Sequence, residues 1–178
     1  MTGRMTPKFK VLSCVFAVSV VLDQYTKHLI DQNLSFADRV PVIEGLLYLT
    51  HVRNTGAAFG LFADTHPTFR IVFFLVLSLV AMGIILSFYR RLEPGERLAA
   101  LALGLILGGA TGNLIDRVQL FEVIDFVHVR LWGGYSWPDF NVADSCIVVG
   151  VGILILEMLA AEGEQRAHSD SSPETSDS

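Results

Sequence analysis

The stretch Ile71–Tyr89, IVFFLVLSLVAMGIILSFY, contains no charged residue and only two hydroxyls besides its terminal tyrosine. A hydrocarbon core about 30 Å thick is crossed by about 20 apolar residues in a helix. This segment therefore reads as a membrane span, and the rest of the chain is organised around it. Leu98–Ile115 is equally free of charge. Val11–Leu22 is uncharged but short, and reaches spanning length only if the helix continues through Asp23 to Ile30. Cys146–Leu156 is also short, and spans only from about Asn141 to Ala161. Two spans are ordinary, and two carry acids at membrane depth.

Composition agrees. Of 178 residues, 52% are apolar and 17% charged, with mean hydropathy +0.50. A soluble domain carries about 25% charge. Most of the net charge of −5 sits in Glu162, Glu164, Asp170, Glu174 and Asp177 against Arg166 alone. The remainder is nearly balanced, so no basic surface recommends a nucleic-acid partner. Cys14 and Cys146 lie in different apolar runs and give no disulfide framework or metal motif.

Lys and Arg near the span ends set orientation. Arg4, Lys8 and Lys10 precede the first span; Arg90, Arg91 and Arg97 lie in the short link between the second and third. Four spans put both groups on one side, expected to be cytoplasmic, with both termini. Basic residues followed by an apolar run also describe a signal peptide, but Asp23-Gln24-Tyr25-Thr26-Lys27 follows without a small-residue cleavage site. Leu12-Ser13-Cys14 mimics a lipoprotein cleavage box but comes too soon after Lys10. The first helix reads as uncleaved.

The expected architecture is an all-α membrane bundle of four transmembrane helices with a small extracytoplasmic β-rich cradle. The spans fall at about 11–30, 70–89, 97–116 and 141–161, with outer loops at 31–69 and 117–140. Residues 1–161 form one domain, and 162–178 read as a disordered acidic cytoplasmic tail. Within the outer loops, Val40–Val52 and Val123–Arg130 are β-like. Trp132, Tyr135 and Trp137 suit a membrane interface.

Charged groups at membrane depth are costly and point by default to function. Counting about 1.5 Å per residue from Lys10 places Asp23 inside the hydrocarbon, with Lys27 one turn above it on the same face. A structural ion pair accounts for both. The same count brings Asn113, Asp116 and Arg117 to the outer interface, sharing a helix end, with Gly108 and Gly109 below permitting close packing. Asp125 sits in the apolar strand Val123–Val127 and faces opposite to Ile124 and Phe126. Asp144 follows Asn141 by three residues at the start of the fourth helix, where the helix dipole favours an acid. Both acids fall at one depth, near the outer surface.

Two carboxylates in a low-dielectric site can share one proton. One then acts as base on a water while the other donates to a carbonyl, the aspartic-protease arrangement. The sequence puts Asp125 and Asp144 at one level, not side by side. The five histidines form no zinc motif; His128 lies close enough to Asp125 to watch. Ser145 has no evident base and no nucleophile elbow. A proton-relay or transport protein, and a non-catalytic scaffold binding a lipid or partner, remain open readings.

Five blocks, taken in order, resemble the lipoprotein signal peptidase (signal peptidase II) family. They are Asp23-Gln24-Tyr25-Thr26-Lys27, Arg53-Asn54-Thr55-Gly56-Ala57-Ala58-Phe59, Gly112-Asn113-Leu114-Ile115-Asp116-Arg117, Val123-Ile124-Asp125-Phe126 and Phe140-Asn141-Val142-Ala143-Asp144-Ser145. The resemblance implies an aspartic endopeptidase of the bacterial cytoplasmic membrane. It would remove the signal peptide from diacylglyceryl-modified prolipoproteins, cutting just before the lipidated cysteine, without a cofactor or metal. It implies a catalytic dyad of Asp125 and Asp144, with Asn54, Asn113, Arg117 and Asn141 holding substrate and dyad. Asp23, Lys27, Gly56, Gly109, Asp116 and Ala143 would have mainly structural roles. The family's β-cradle and small loop helix would correspond to parts of residues 31–68. Membrane lipids and inhibitors of the globomycin type are further implied partners, and the active site would lie near the outer leaflet.

Overall fold

A computed structural model describes residues 6–56 and 65–170. Helix α1 (Pro7–Asn33) opens with Pro7, whose missing N–H costs nothing in the first turn. Strands β1 (Arg39–Ile43) and β2 (Leu47–Asn54) follow. Helices α2 (Pro67–Arg91) and α3 (Arg97–Gln119), strand β3 (Val123–Val129) and helix α4 (Val142–Asp170) complete the order. All four helices are long and apolar enough to cross a membrane. Each runs a turn or so beyond its apolar core, because polar flanks remain helical at the span ends.

Helix α3 is the axis of the bundle. Ala99, Ala100, Ala102, Gly104, Gly108, Gly109 and Gly112 are among its buried residues. Without a hydrophobic drive between helices in lipid, small residues allow the close backbone approach that holds them together. A Cβ on Gly108 would fall 2.6 Å from Ser19 Cβ of α1, and one on Gly109 would run into the carbonyl oxygen of Ala143 in α4. Leu12, Ile85, Leu103, Ile106 and Leu107 fill the spaces beside this seam. Helix α2 is held far less: Ile85 is its one buried residue. Lys8 donates to the Leu92 carbonyl and lies over the Tyr89 ring. The basic start of α1 and the basic α2–α3 link are thus at one end of the bundle, as the charge pattern expects.

The sheet caps the other end. Its order is β1-β2-β3, antiparallel throughout. Gly45, at φ +81°, makes the turn between β1 and β2. The β2–β3 register pairs Leu49 with Val127 but Val52 with Asp125, so β2 carries one extra residue. Ile124 and Phe126 pack with Ile30 of α1, which leaves the intervening Asp125 on the opposite face. Phe140 bridges to Val127 and returns the chain to α4.

One boundary differs from expectation. Helix α4 continues to Asp170, so residues 162–170, expected as disordered tail, are helical. The run Glu162-Gly163-Glu164-Gln165-Arg166-Ala167 explains this, since all but the glycine are good helix formers. The expected small loop helix falls partly on residues 57–64, outside the described residues, as does the end of the tail.

Candidate active site

The site lies where β3, the end of α3 and the start of α4 converge. Its local logic begins with the unpaired N–H groups of the first turn of α4. Asn141, the residue before the helix, accepts the Asp144 N–H on its Oδ1 at 2.9 Å. Asp144 Oδ2 in turn accepts the Asn141 N–H at 3.2 Å. This reciprocal capping box orients both side chains within one helical turn. The Ala143 N–H donates to Asp23 Oδ1 of α1 at 2.9 Å. Asp144 is therefore a first-turn acid, as helix electrostatics alone would favour, and it also faces the other polar groups.

The two acids are joined by amides. Asn141 Nδ2 donates to Asp125 Oδ1 at 2.7 Å, and Asn113 Nδ2 donates to Asp144 Oδ1 at 2.8 Å. Asn141 Nδ2 also lies 3.1 Å from Asn113 Oδ1. From β2, Asn54 Nδ2 donates to Asp125 Oδ2 at 2.8 Å, while Asn54 Oδ1 accepts the Gly56 N–H at 2.8 Å. Gly56 adopts φ +96° and faces the Phe74 ring with no room for a Cβ. Asp125 is 2% exposed and Asn141 fully buried.

A charged cluster supports these amides from below. Lys27 Nζ lies 2.8 Å from Asp23 Oδ2 and 2.8 Å from Asp116 Oδ2, and donates to Asn113 Oδ1 at 2.9 Å. Three ammonium donors meet three acceptors, which makes the burial of Lys27 tolerable. Because Lys27 can only donate, it holds the Asn113 oxygen towards itself and the Asn113 amino group towards Asp144. Asp116 Oδ2 also accepts the Ile124 N–H at 3.2 Å, tying α3 to β3.

Burial pushes the Asp125 carboxyl up to about 7; hydrogen bonds from Asn54 and Asn141 oppose this and the charge of Asp144 adds to it. Asp125 is thus poised to hold a proton near neutrality while sensing the second acid. Arg117 donates to the Asn113 carbonyl at 3.2 Å, lies over the Phe74 ring, and is within electrostatic reach of Asp144, Asp125 and Asp116. Beside Asp144 opens an apolar groove of about 320 Å³ lined by Trp137, Phe140, Ser145, Val148 and Val149.

The structure brings together Asp125, Asp144, Asn54, Asn113 and Asn141, with Asp23, Lys27 and Asp116 immediately behind them. Gly56 acts through Asn54; Gly109 and Ala143 form the α3–α4 contact. Arg117 bonds its own helix rather than either acid. Sequence reasoning passed over Gln24, which donates to Asp116 Oδ1 at 2.8 Å and the Gly112 carbonyl at 3.1 Å. It also gave no role to Thr50 or Asp139, which join His128 in a second polar cluster. Among the described residues no group of three His, Cys, Asp or Glu side chains could hold a metal ion.

A family model described as signal peptidase (SPase) II matches residues 15–160. The lipoprotein signal peptidase of Geobacter sulfurreducens is 49% identical over 158 residues, covering 89% of this chain and 97% of that one. That of Bacillus subtilis is 41% identical over 147 residues, covering 83% and 92%. A solved structure described as a bacterial membrane enzyme, determined by the in meso method, superposes with a TM-score of 0.74 at 31% identity, covering 83% of this chain and 92% of that one.

Proposed function

This chain belongs to the signal peptidase II family, and on that premise we propose that Asp125 and Asp144 are its catalytic dyad. Membership makes it a multi-pass peptidase of the inner membrane that removes signal peptides from prolipoproteins. The observation that carries the dyad is the amide bridge: Asn141 bonds Asp125 and caps Asp144, so one side chain sets the relation between two acids on different elements.

In this reading a water between the acids is the nucleophile. Asp144 takes a proton from the water as its oxygen attacks the carbonyl carbon of the scissile peptide bond. Asp125 carries the resting proton and donates it to the carbonyl oxygen, giving a neutral tetrahedral intermediate. Collapse breaks the C–N bond, with a dyad proton passing to the leaving nitrogen. Asn54, Asn113 and Asn141 hold the carboxyls, and Arg117 offsets their charge and orients the substrate backbone. The roles of Asp23, Lys27, Asp116, Gly56, Gly109 and Ala143 are structural.

The scissile bond is the one just before the diacylglyceryl-modified cysteine. The apolar groove beside Asp144 suits a substrate that stays in the bilayer. The sheet and dyad lie on the extracytoplasmic side, with both termini cytoplasmic, because the basic ends of α1, α2 and α3 gather at the opposite end. Membrane lipids surround the spans, and globomycin-type peptides would compete for the same groove.

Cleavage of a diacylglyceryl-modified prolipoprotein by purified protein, beside Asp125→Asn and Asp144→Asn, tests this. Loss of at least about 10²-fold in both variants is expected, the low end of general acid–base contributions. Undiminished cleavage in either removes that residue from the dyad.

A further inference from the structure

The polar cluster at the base of the sheet has no part in the chemistry above. Asp139 lies two residues before Asn141. Its Oδ2 accepts the Thr50 hydroxyl of β2 at 2.7 Å, and its Oδ1 meets His128 Nδ1 of β3 at 2.5 Å. The carboxylate offers only lone pairs, so the hydrogen is on Nδ1. Thr50 is 4% exposed and His128 7%, while Asp139 itself is half-buried.

What this cluster fixes is a short crossing segment. Asp139 is fastened by side chains to two strands. Phe140 is fastened by backbone, accepting the Phe126 and Val127 N–H groups at 3.0 and 2.8 Å and donating to the Val127 carbonyl at 3.1 Å. Asn141, next in sequence, bonds Asp125 and caps α4. The acids stand on elements separated by this crossing. Any slide of residues 139–141 along β3 moves Asn141 and the start of α4 against Asp125.

We propose that Asp139, gripped by Thr50 and His128, is a positioning residue for the reaction: the clasp sets the distance between Asp125 and Asp144 by holding the strand-to-helix crossing in register. The inference rests on the reading of those two acids as the reacting pair. Thr50 belongs to the extra-residue irregularity of β2, whose ladder pairings lapse between Leu49 and Val52. Thr50 keeps its pairing with Arg39 of β1, and its buried hydroxyl finds its partner in Asp139.

The test is steady-state cleavage of a diacylglyceryl-modified prolipoprotein by Asp139→Ala, Asp139→Asn and Thr50→Val, each with a thermal melt, alongside Asp125→Asn. Misplacement of reacting groups by about 1 Å costs about 10²-fold in rate. Asp139→Ala is expected to lower kcat by about tenfold to a hundredfold with KM within about twofold. Asp139→Asn keeps an oxygen for His128 Nδ1 and is expected to recover most of that kcat. Thr50→Val loses one of the two anchors, folds readily, and is expected to fall between them. A drop in melting temperature with kcat at wild type in Asp139→Ala and Thr50→Val makes the clasp merely structural and overturns the proposal. If Asp139→Ala does not fold, wild-type kcat in Thr50→Val together with Asp139→Asn does the same. An active Asp125→Asn instead overturns the dyad, whatever the clasp variants do.

Discussion

Asn141 and Asp144 cap each other: the Asn141 oxygen takes the Asp144 N–H at 2.9 Å while the Asp144 carboxylate takes the Asn141 N–H at 3.2 Å. A helix-start motif thereby doubles as the mount for one of the two acids proposed to react. Asn141→Ala removes the cap, a loss of about 1 kcal/mol, and also frees Asp125 Oδ1. Its activity should fall far more than its melting temperature does. Parallel melts and cleavage rates check this, and a proportionate decline in both would contradict it.

Asp125 supplies a stability test with a definite sign. Its folded pKa of about 7 stands above the ordinary 3.8. Folding therefore prefers the protonated form. The stability of that form is fully present below about pH 4 and is lost as pH rises to about 7. Asp125→Asn removes this dependence and should be more stable than wild type at pH 8, by at most about 4 kcal/mol, seen as a higher melting temperature. At pH 4 the two should converge. A variant that melts lower at pH 8 would show that the burial of Asp125 is well compensated.

In the proposed dyad the same group should govern a limb of the pH profile. Activity that needs the Asp125 proton declines as pH rises through about 7. The Asn54 amide favours the charged form, so Asn54→Leu should move this limb to higher pH while lowering the maximal rate. A limb that stays in place, in kcat/KM measured from pH 5 to 9, would detach Asn54 from the titration.

Lys27 is 2% exposed and meets three acceptors from two helices. Lys27→Met leaves Asp23 and Asp116 without a counter-charge and should cost about 3–5 kcal/mol. Adding Asp23→Asn and Asp116→Asn to it should restore much of the melting temperature, because an uncharged cluster no longer needs a partner. Failure of the triple variant to recover would assign the loss to packing rather than charge.

Gly109→Ala should be worse than Gly112→Ala. The first methyl meets the Ala143 backbone carbonyl, which cannot turn aside; the second meets the Asp23 carboxylate. Overpacking costs about 1–3 kcal/mol, and at Gly109 it also displaces the start of α4. Detergent melts and cleavage rates of the two variants give the order.

The four helices were legible because hydropathy is a local property and the membrane sets a fixed length. The Asp23–Lys27 pair was legible for the same reason, being one helical turn apart. What stayed hidden was every link between distant segments. Asn54 reaches Asp125 because β2 and β3 pair across some seventy residues, a register displaced by one extra residue in β2. Lys27 reaches Asn113 and Asp116 because small residues let α1 and α3 close together, and spacing cannot give an interhelical angle. Asp139 carried no signal, standing between an aromatic belt and a helix start. Residues 162–170 were misjudged because composition suggested solvation, whereas their individual preferences favour continuing the helix.

The placement of Lys27 one turn beyond Asp23 also bears on how the chain enters a bilayer. The pair closes within a single helix, at 2.8 Å, so α1 brings its own counter-ion for Asp23. Asp116 of α3 joins the pair as a second acid, so the buried trio carries one formal negative charge in excess, which the Gln24 amide and the Ile124 N–H help to hold.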